Sequence, residues 1–232
     1  MALPRPTIVI FDMDGTTVRH LNPRLLHVLE WLDDCAFKIS RLWKWAERGG
    51  QGPIFAPGEI APLRKIPRLL VHRALHKVRR KPVEQIVEPC PGIYAVLDFL
   101  RKNDIPMGLA SNGLGAGYGH DVLQTFDLEK YFRATIFRED IRNAKPHPEG
   151  ILLTLQKMGT VPTAQDVIWY IGDRHKDITA VQNARPHLPC PIVPIAYGLN
   201  AAVAVMEKNI GPEHIIMSFH DILKVLERLF RA

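Results

Sequence analysis

The sequence predicts an α/β protein: a Rossmann-like, doubly wound parallel sheet, with a small α-helical unit inserted after its first strand. Three observations carry this. Apolar runs of strand length recur along the chain, segments with helical spacing separate several of them, and one stretch near the N-terminus breaks the alternation. Strands that alternate with helices build a parallel sheet covered on both faces, so its strands read as near-continuous apolar runs.

Thr7–Phe11 is the first strand candidate, TIVIF. The stretch from about His20 to Glu88 then departs from the pattern. Leu25, Val28, Leu29 and Leu32 suggest one helix, and Val71, Ala74, Leu75 and Val78 another. Between them GGQGPIFAPGEIAP, Gly49 to Pro62, is too rich in glycine and proline for regular helix or a central strand. Trp31, Trp43, Trp45 and Phe37 read as the packing of a small helical unit. The alternation resumes with Ile93, Val96, Leu97 and Leu100, an i, i+3, i+4, i+7 helix that Asn103 stops. Strand candidates follow at Ile105–Ala110, Ala134–Phe137, Val167–Ile171 and Ile192–Ala196. Glu149 to Met158 reads as a helix preceded by Pro146 and Pro148 and ended near Gly159. Ile222, Val225, Leu226 and Leu229 mark a C-terminal amphipathic helix. The expected organisation is a core of residues 1–19 and 89–232, with residues 20–88 as the insert.

A chain of 232 residues, 47% apolar and 23% charged, suits one large domain or one domain plus a small one. Three cysteines, Cys35, Cys90 and Cys190, are odd in number and widely spaced. They form neither a disulfide framework nor a metal knuckle, so a reducing, cytoplasmic setting is expected. MALPRPTIVIF carries too short an apolar stretch for a secretory signal, and no run is long enough to span a membrane. The net charge of +6 is uneven: Arg19 to Glu88 holds 14 Lys/Arg against 7 Asp/Glu, a balance of +7, and the rest sums to −1. The basic excess belongs to the insert.

In open parallel sheets, ligands bind where strands end at their carboxyl edge. Asp12 and Asp14 follow the first strand; Ser111 and Asn112 follow the second. The loop after Ala134–Phe137 leads to Lys145-Pro146, and Gly172, Asp173 and Asp177 follow Val167–Ile171. Converging carboxylates repel unless positive charge sits among them. Oxygen donors of this kind suit Mg²⁺, and Lys145 adds a fixed cation. A metal ion, a lysine, a serine hydroxyl and exposed backbone N–H groups together describe a phosphate site. One aspartate can then attack phosphorus while the other handles the proton.

The ordered set DMDGTT, SN, KPHPE and GDRHKD resembles the four motifs of the haloacid dehalogenase superfamily, over residues 7–19 and 89–198. The position of the insert is similar to that of the helical-cap branch, which includes phosphoglycolate-phosphatase-like enzymes. The resemblance implies that Asp12 is the nucleophile, forming an aspartyl-phosphate. Asp14 would protonate the leaving oxygen and then activate water. Mg²⁺ would be held by the Asp12 carboxylate, the Asp14 backbone carbonyl and Asp173. Ser111 and Lys145 would bind the phosphoryl group, helped by backbone N–H groups at Asn112 and Gly113. Asp177 would help hold the metal or its waters, or orient Lys145. Thr16 is expected to hydrogen-bond near Asp12. Members that dehalogenate, or cleave carbon–phosphorus bonds, lack an acid at the Asp14 position. Its presence favours ester hydrolysis, though phosphomutases keep both acids.

Other signals are weaker. GLGAGYG, Gly113 to Gly119, does not fit G-x-G-x-x-G and reads as a flexible loop beside Ser111. His72 and His76 are four apart, but Arg73 stands where a zinc-protease glutamate would, so a solvated helix face is expected. His147 and His175 read equally as pocket-lining groups or as loop histidines without a catalytic part. The run Lys77, Arg79, Arg80, Lys81 reads as a solvated face, with steering of a phosphorylated substrate as a further use. The expected function is a Mg²⁺-dependent phosphatase acting on a small phosphorylated metabolite, as a monomer or homodimer, with no membrane partner. The alternatives are a phosphomutase, or a module whose basic insert grips nucleic acid or a protein; nucleic acid is the weaker expectation.

Overall fold

The computed structural model describes residues 3–21 and 82–231. The chain divides into two compact units, Met1–His20 with Val83–Ala232, and Leu21–Pro82. The two helices expected between Leu25 and Val78 lie outside the described residues, as do Gly49–Pro62, Trp31, Trp43, Trp45, Phe37, His72, His76 and the Lys77–Lys81 run.

Six parallel strands form the sheet: β1 (Ile8–Phe11), β4 (Met107–Ala110), β5 (Ala134–Ile136), β6 (Ile168–Gly172), β7 (Ile192–Tyr197) and β8 (Ile215–Ile216). Their order is β5-β4-β1-β6-β7-β8. The five strands expected from sequence are all present. β8 is two residues long, too short to leave a periodic signal. Pro194 inside β7 has no N–H to give a neighbour. It is tolerated because β8 pairs only with Ala196 and Tyr197, and His214 Nδ1 meets the Pro194 carbonyl at 2.7 Å.

Alternation along each strand divides the core between two faces. Val9 and Phe11 of β1, with Leu109, Trp169, Ile171 and Ile195, pack against helix α1 (Ile93–Lys102) and the C-terminal helix α6 (Phe219–Arg231). Ile8 and Ile10, with Ile168, Tyr170 and Ile192, pack against α3 (Glu149–Lys157) and α4 (His175–Ala184). The expected helices at Ile93, Glu149 and Ile222 match α1, α3 and α6. Those at α2 (His120–Thr125), α4 and α5 (Leu199–Glu207) were not legible from spacing: α2 is short, and α4 and α5 bury mainly alanine and valine.

A two-stranded antiparallel ribbon, β2 (Val18–His20) with β3 (Val87–Pro89), stands at the root of the insert. The expected boundary after residue 88 therefore falls inside this ribbon, and the core resumes at Val83. The strand order reverses at β1: β4 and β5 extend the sheet to one side, and β6, β7 and β8 to the other. That switch point opens a crevice at the carboxyl end of β1, where Asp12 stands.

Candidate active site

Asp12 continues the ladder beyond β1, its N–H donating to the Ile171 carbonyl at 2.8 Å. Thr17 Oγ1 donates to the Asp12 carbonyl at 2.6 Å. The tight turn after Asp14 is set by Gly15, whose φ is +87° and whose N–H donates to the Val18 carbonyl at 2.7 Å. A Cβ at Gly15 would lie 2.2 Å from Asp173 Oδ2, so only glycine lets the β1 turn and the β6 turn approach.

Lys145 is buried at the centre of this crevice. Its Nζ meets four acceptors: Asp12 Oδ1 at 2.5 Å, Asp177 Oδ1 at 2.7 Å, the Tyr170 hydroxyl at 2.9 Å and the Ala110 carbonyl at 3.1 Å. Asn112 holds the lysine's backbone at two points: Oδ1 accepts the Lys145 N–H at 2.9 Å and Nδ2 donates to its carbonyl at 3.3 Å. Glu149 fixes the approach, accepting the N–H groups of Arg142 at 2.7 Å and Asn143 at 2.8 Å. The motif KPHPE thus places its lysine through its glutamate and through an asparagine from another strand end.

Asp173 and Asp177 come from the β6–α4 turn. Asp177 sits in the first turn of α4, where its Oδ2 accepts the Arg174 N–H at 3.0 Å, satisfying a helix-terminal donor. Asp12, Asp173 and Asp177 offer carboxylate oxygens within 4.8 Å of one another. Burial, and then the negative charge of Asp177, push Asp173 up to about 7. Burial pushes Asp12 well above the usual carboxylate range; Lys145 opposes this, and Asp177 and Asp173 add to it. Three carboxylates face one ammonium, and Asp173 Oδ1 is buried with no hydrogen-bond partner among the described residues. An orphaned carboxylate oxygen in an under-neutralised cluster of hard donors fits a divalent cation.

Asp14 faces a different setting. The Tyr118 hydroxyl donates to its Oδ1 at 2.5 Å, and His20 Nε2 meets the same oxygen at 3.1 Å. Burial pushes the Asp14 carboxyl up, but the hydrogen bonds from His20 and Tyr118 outweigh it and hold the group below its ordinary value. The Asp14 side chain is outside the acidic cluster. Gly113 is where Asp14 and Ser111 meet: a Cβ there would lie 3.1 Å from Asp14 Oδ2 and 3.2 Å from Ser111 Oγ. The Gly113 N–H donates to Ser111 Oγ at 2.9 Å.

The residues singled out in the sequence thus fall into two groups. Asp12, Lys145, Asp173 and Asp177 touch or adjoin one another, and Asp14, Ser111 and Gly113 lie alongside. Asn112 acts on the lysine loop through its side chain. Thr16 is buried, with no partner for Oγ1 among the described residues, and the hydroxyl bonded to Asp12 belongs to Thr17. His147 and His175 are exposed, the first against the Glu149 N–H and the second 3.3 Å from Glu207. GLGAGYG runs through a turn, Gly115–Gly119, in which Ala116 and Gly117 have non-helical dihedral angles, and then enters α2. Sequence reasoning missed Tyr118, His20 and Tyr170. Tyr118 is the one aromatic among the four glycines of GLGAGYG, and Tyr170 the one hydroxyl in the IWYIG strand. A tyrosine on a buried strand needs a partner for its hydroxyl, and that was the available signal. His20 left none.

Known proteins point the same way. The haloacid dehalogenase-like hydrolase family matches residues 9–187. The phosphoglycolate phosphatase of Shigella boydii serotype 4 is 32% identical over 240 aligned positions, spanning 94% of this chain and 91% of that one. The phosphoglycolate phosphatase of Salmonella typhimurium is 33% identical with the same coverage. Among solved structures, a HAD-superfamily hydrolase from Ehrlichia chaffeensis shares the fold with a TM-score of 0.58 at 20% identity, covering 99% of this chain and 100% of that one. A β-phosphoglucomutase from Clostridium difficile also gives 0.58, at 18% identity and 98% and 100% coverage. With a doubly wound sheet, four motif turns meeting at its switch point and a family match over most of the chain, this protein belongs to the haloacid dehalogenase-like hydrolases.

Proposed function

We propose that this protein is a Mg²⁺-dependent phosphatase that hydrolyses a small phosphorylated metabolite through an aspartyl-phosphate on Asp12. The observation that carries the reading is the pairing of Lys145 with Asp12 inside an acidic cluster that keeps one carboxylate oxygen without a partner among the described residues. Phosphoglycolate is the first substrate to test, because relatives spanning nearly the whole chain are phosphoglycolate phosphatases.

Asp12 and Asp173, with the Asp14 backbone carbonyl, would hold the metal. Mg²⁺ supplies positive charge against the phosphate oxygens as the phosphoryl group transfers. Both oxygens of Asp177 are engaged, by Lys145 and by the Arg174 N–H, which supports a part in orienting Lys145. Lys145 and Ser111 bind the phosphoryl oxygens. An Asp12 carboxylate oxygen attacks phosphorus, and the ester P–O bond breaks with its electron pair going to the leaving oxygen. Asp14 gives that oxygen a proton. Asp14 then takes a proton from water as the water oxygen attacks phosphorus. The bond between phosphorus and Asp12 breaks, inorganic phosphate leaves and the carboxylate is restored. Hydrogen bonds hold Asp14 below its ordinary value, so it must gain its proton when the negative charge of the phosphate enters the site.

The test is phosphate release from a panel of phosphate esters including phosphoglycolate, in Mg²⁺ and in chelator, with wild type and Asp12→Asn. Metal-dependent release that Asp12→Asn abolishes is expected. Release that survives Asp12→Asn overturns the reading, and isomerisation of a sugar phosphate without matching phosphate release makes the protein a mutase.

A further inference from the structure

The two oxygens of Asp14 have different surroundings. Oδ1 receives the Tyr118 hydroxyl at 2.5 Å and lies 3.1 Å from His20 Nε2. Oδ2 points to Gly113, beside Ser111 and the strand ends where the phosphate site converges. Tyr118 is itself held: its hydroxyl is 2.8 Å from His20 Nε2, and the two rings stack with centroids 5.9 Å apart. The backbone also fixes it, because the turn Gly115–Gly119 is closed by the Gly119 N–H donating to the Leu114 carbonyl at 3.0 Å. At the start of that turn, Glu139 accepts the N–H groups of Gly115 and Ala116 at 2.9–3.0 Å.

We propose that Tyr118 is a positioning residue for the proton transfers of Asp14: by donating to Oδ1 it confines the exchangeable proton to Oδ2, the oxygen turned toward the reacting phosphate. The inference rests on the phosphatase reading above. A phenol donating to Oδ1 serves either state of the group. With Asp14 ionised, Oδ1 accepts as a carboxylate oxygen. With Asp14 protonated, Oδ1 accepts as the carbonyl oxygen, so the O–H must sit on Oδ2. The leaving oxygen then takes its proton from Oδ2, and in the second step water returns one to the same atom. Without Tyr118 the carboxyl can rotate and carry its proton on the wrong side, a loss that geometry-sensitive proton transfer feels.

The experiment compares wild type, Tyr118→Phe and Asp14→Asn over a series of phosphate monoesters, from nitrophenyl to simple alkyl, reading kcat/KM. This ratio reports steps through breakage of the ester bond. A weakly basic nitrophenolate leaves without a proton, whereas an alkoxide needs one. Tyr118→Phe keeps the ring and removes only the hydroxyl. The expected result is a loss for alkyl esters about tenfold greater than for the nitrophenyl ester, in the direction of Asp14→Asn and smaller than it. Equal losses across the series, or none, overturn the proposal, since a merely structural residue lowers all esters alike. A wild type that releases phosphate from no ester sinks the phosphatase reading and this inference with it; uniform losses in an active protein sink this inference alone.

Discussion

Asp12 and Asp14 stand two residues apart on one turn, yet the fold treats them oppositely. Asp12 is buried with an ammonium and two more carboxylates, and burial among like charges drives its carboxyl up. Asp14 is half-buried against a phenol and an imidazole, whose hydrogen bonds hold its carboxyl down. Charge neutralisation governs the first setting and hydrogen-bond donation the second. The difference shows how two identical side chains on one turn acquire separate tasks: the first needs an added cation to become a free anion, and the second must gain a proton before it can act as an acid.

Removing the Asp12 charge breaks the comparison most completely. Asp12→Asn should lower phosphate release by at least about 10³-fold, while circular dichroism shows an intact fold. Lys145→Met attacks the same side by another route. It strips the only cation hydrogen-bonded to Asp12 and Asp177 among the described residues. Breaking a buried pair by deleting one partner costs about 3–5 kcal/mol. Denaturant unfolding in chelator should show that loss, and millimolar Mg²⁺ should restore part of it. A variant as stable as wild type in chelator would show that the ammonium does not neutralise the cluster.

Asp173 sharpens the comparison through pH. Its carboxyl is raised from 3.8 to about 7, so the folded chain holds this proton more tightly than the unfolded chain. Stability contributed by the protonated form is therefore full below 3.8 and is lost as pH rises toward 7. Asp173→Asn lacks this loss. In chelator, the variant should gain stability relative to wild type between pH 4 and pH 7, by roughly 3 kcal/mol. Mg²⁺ should reverse the ranking at pH 7 by stabilising wild type alone. Thermal unfolding at both pH values, with and without Mg²⁺, reads all four corners. A pH-independent difference would show that Asp173 is ionised without metal.

The Asp12 side of the site was legible in the sequence, and the Asp14 side was not. Asp12, Lys145, Asp173 and Asp177 follow strands whose apolar runs announce them, and the strand-end rule brings them together without further information. Tyr118 and His20 reach Asp14 from a glycine-rich turn and from the end of a three-residue ribbon strand. Neither segment has a periodicity that fixes where a side chain lands. Thr16 and Thr17 show the same limit at smaller scale. Both hydroxyls lie in one turn, and only its dihedral angles decide that Thr17 reaches the Asp12 carbonyl. The sheet, by contrast, was readable almost throughout, because five of its six strands are long enough to carry an apolar run.

The smallest expected effect tests how far the Lys145 network is over-provided. An ammonium has three N–H donors, and Lys145 faces four acceptors. Tyr170→Phe removes one of them and leaves Asp12, Asp177 and the Ala110 carbonyl, enough for every N–H. The lost hydroxyl has only weak donor contacts of its own, 3.3 Å to Asp177 and 3.4 Å to the Ala110 carbonyl. Phenylalanine fills nearly the same volume and leaves no polar atom behind, so the cost should stay near 1 kcal/mol, with phosphate release within about fivefold of wild type. A loss approaching that of Lys145→Met would mean that the two carboxylates cannot hold the ammonium in place alone. Tyr170, on the opposite sheet face from Phe11 and Ile171, would then be setting the position of the cation, and the neutralised side of the site would depend on a neutral hydroxyl as much as the Asp14 side does.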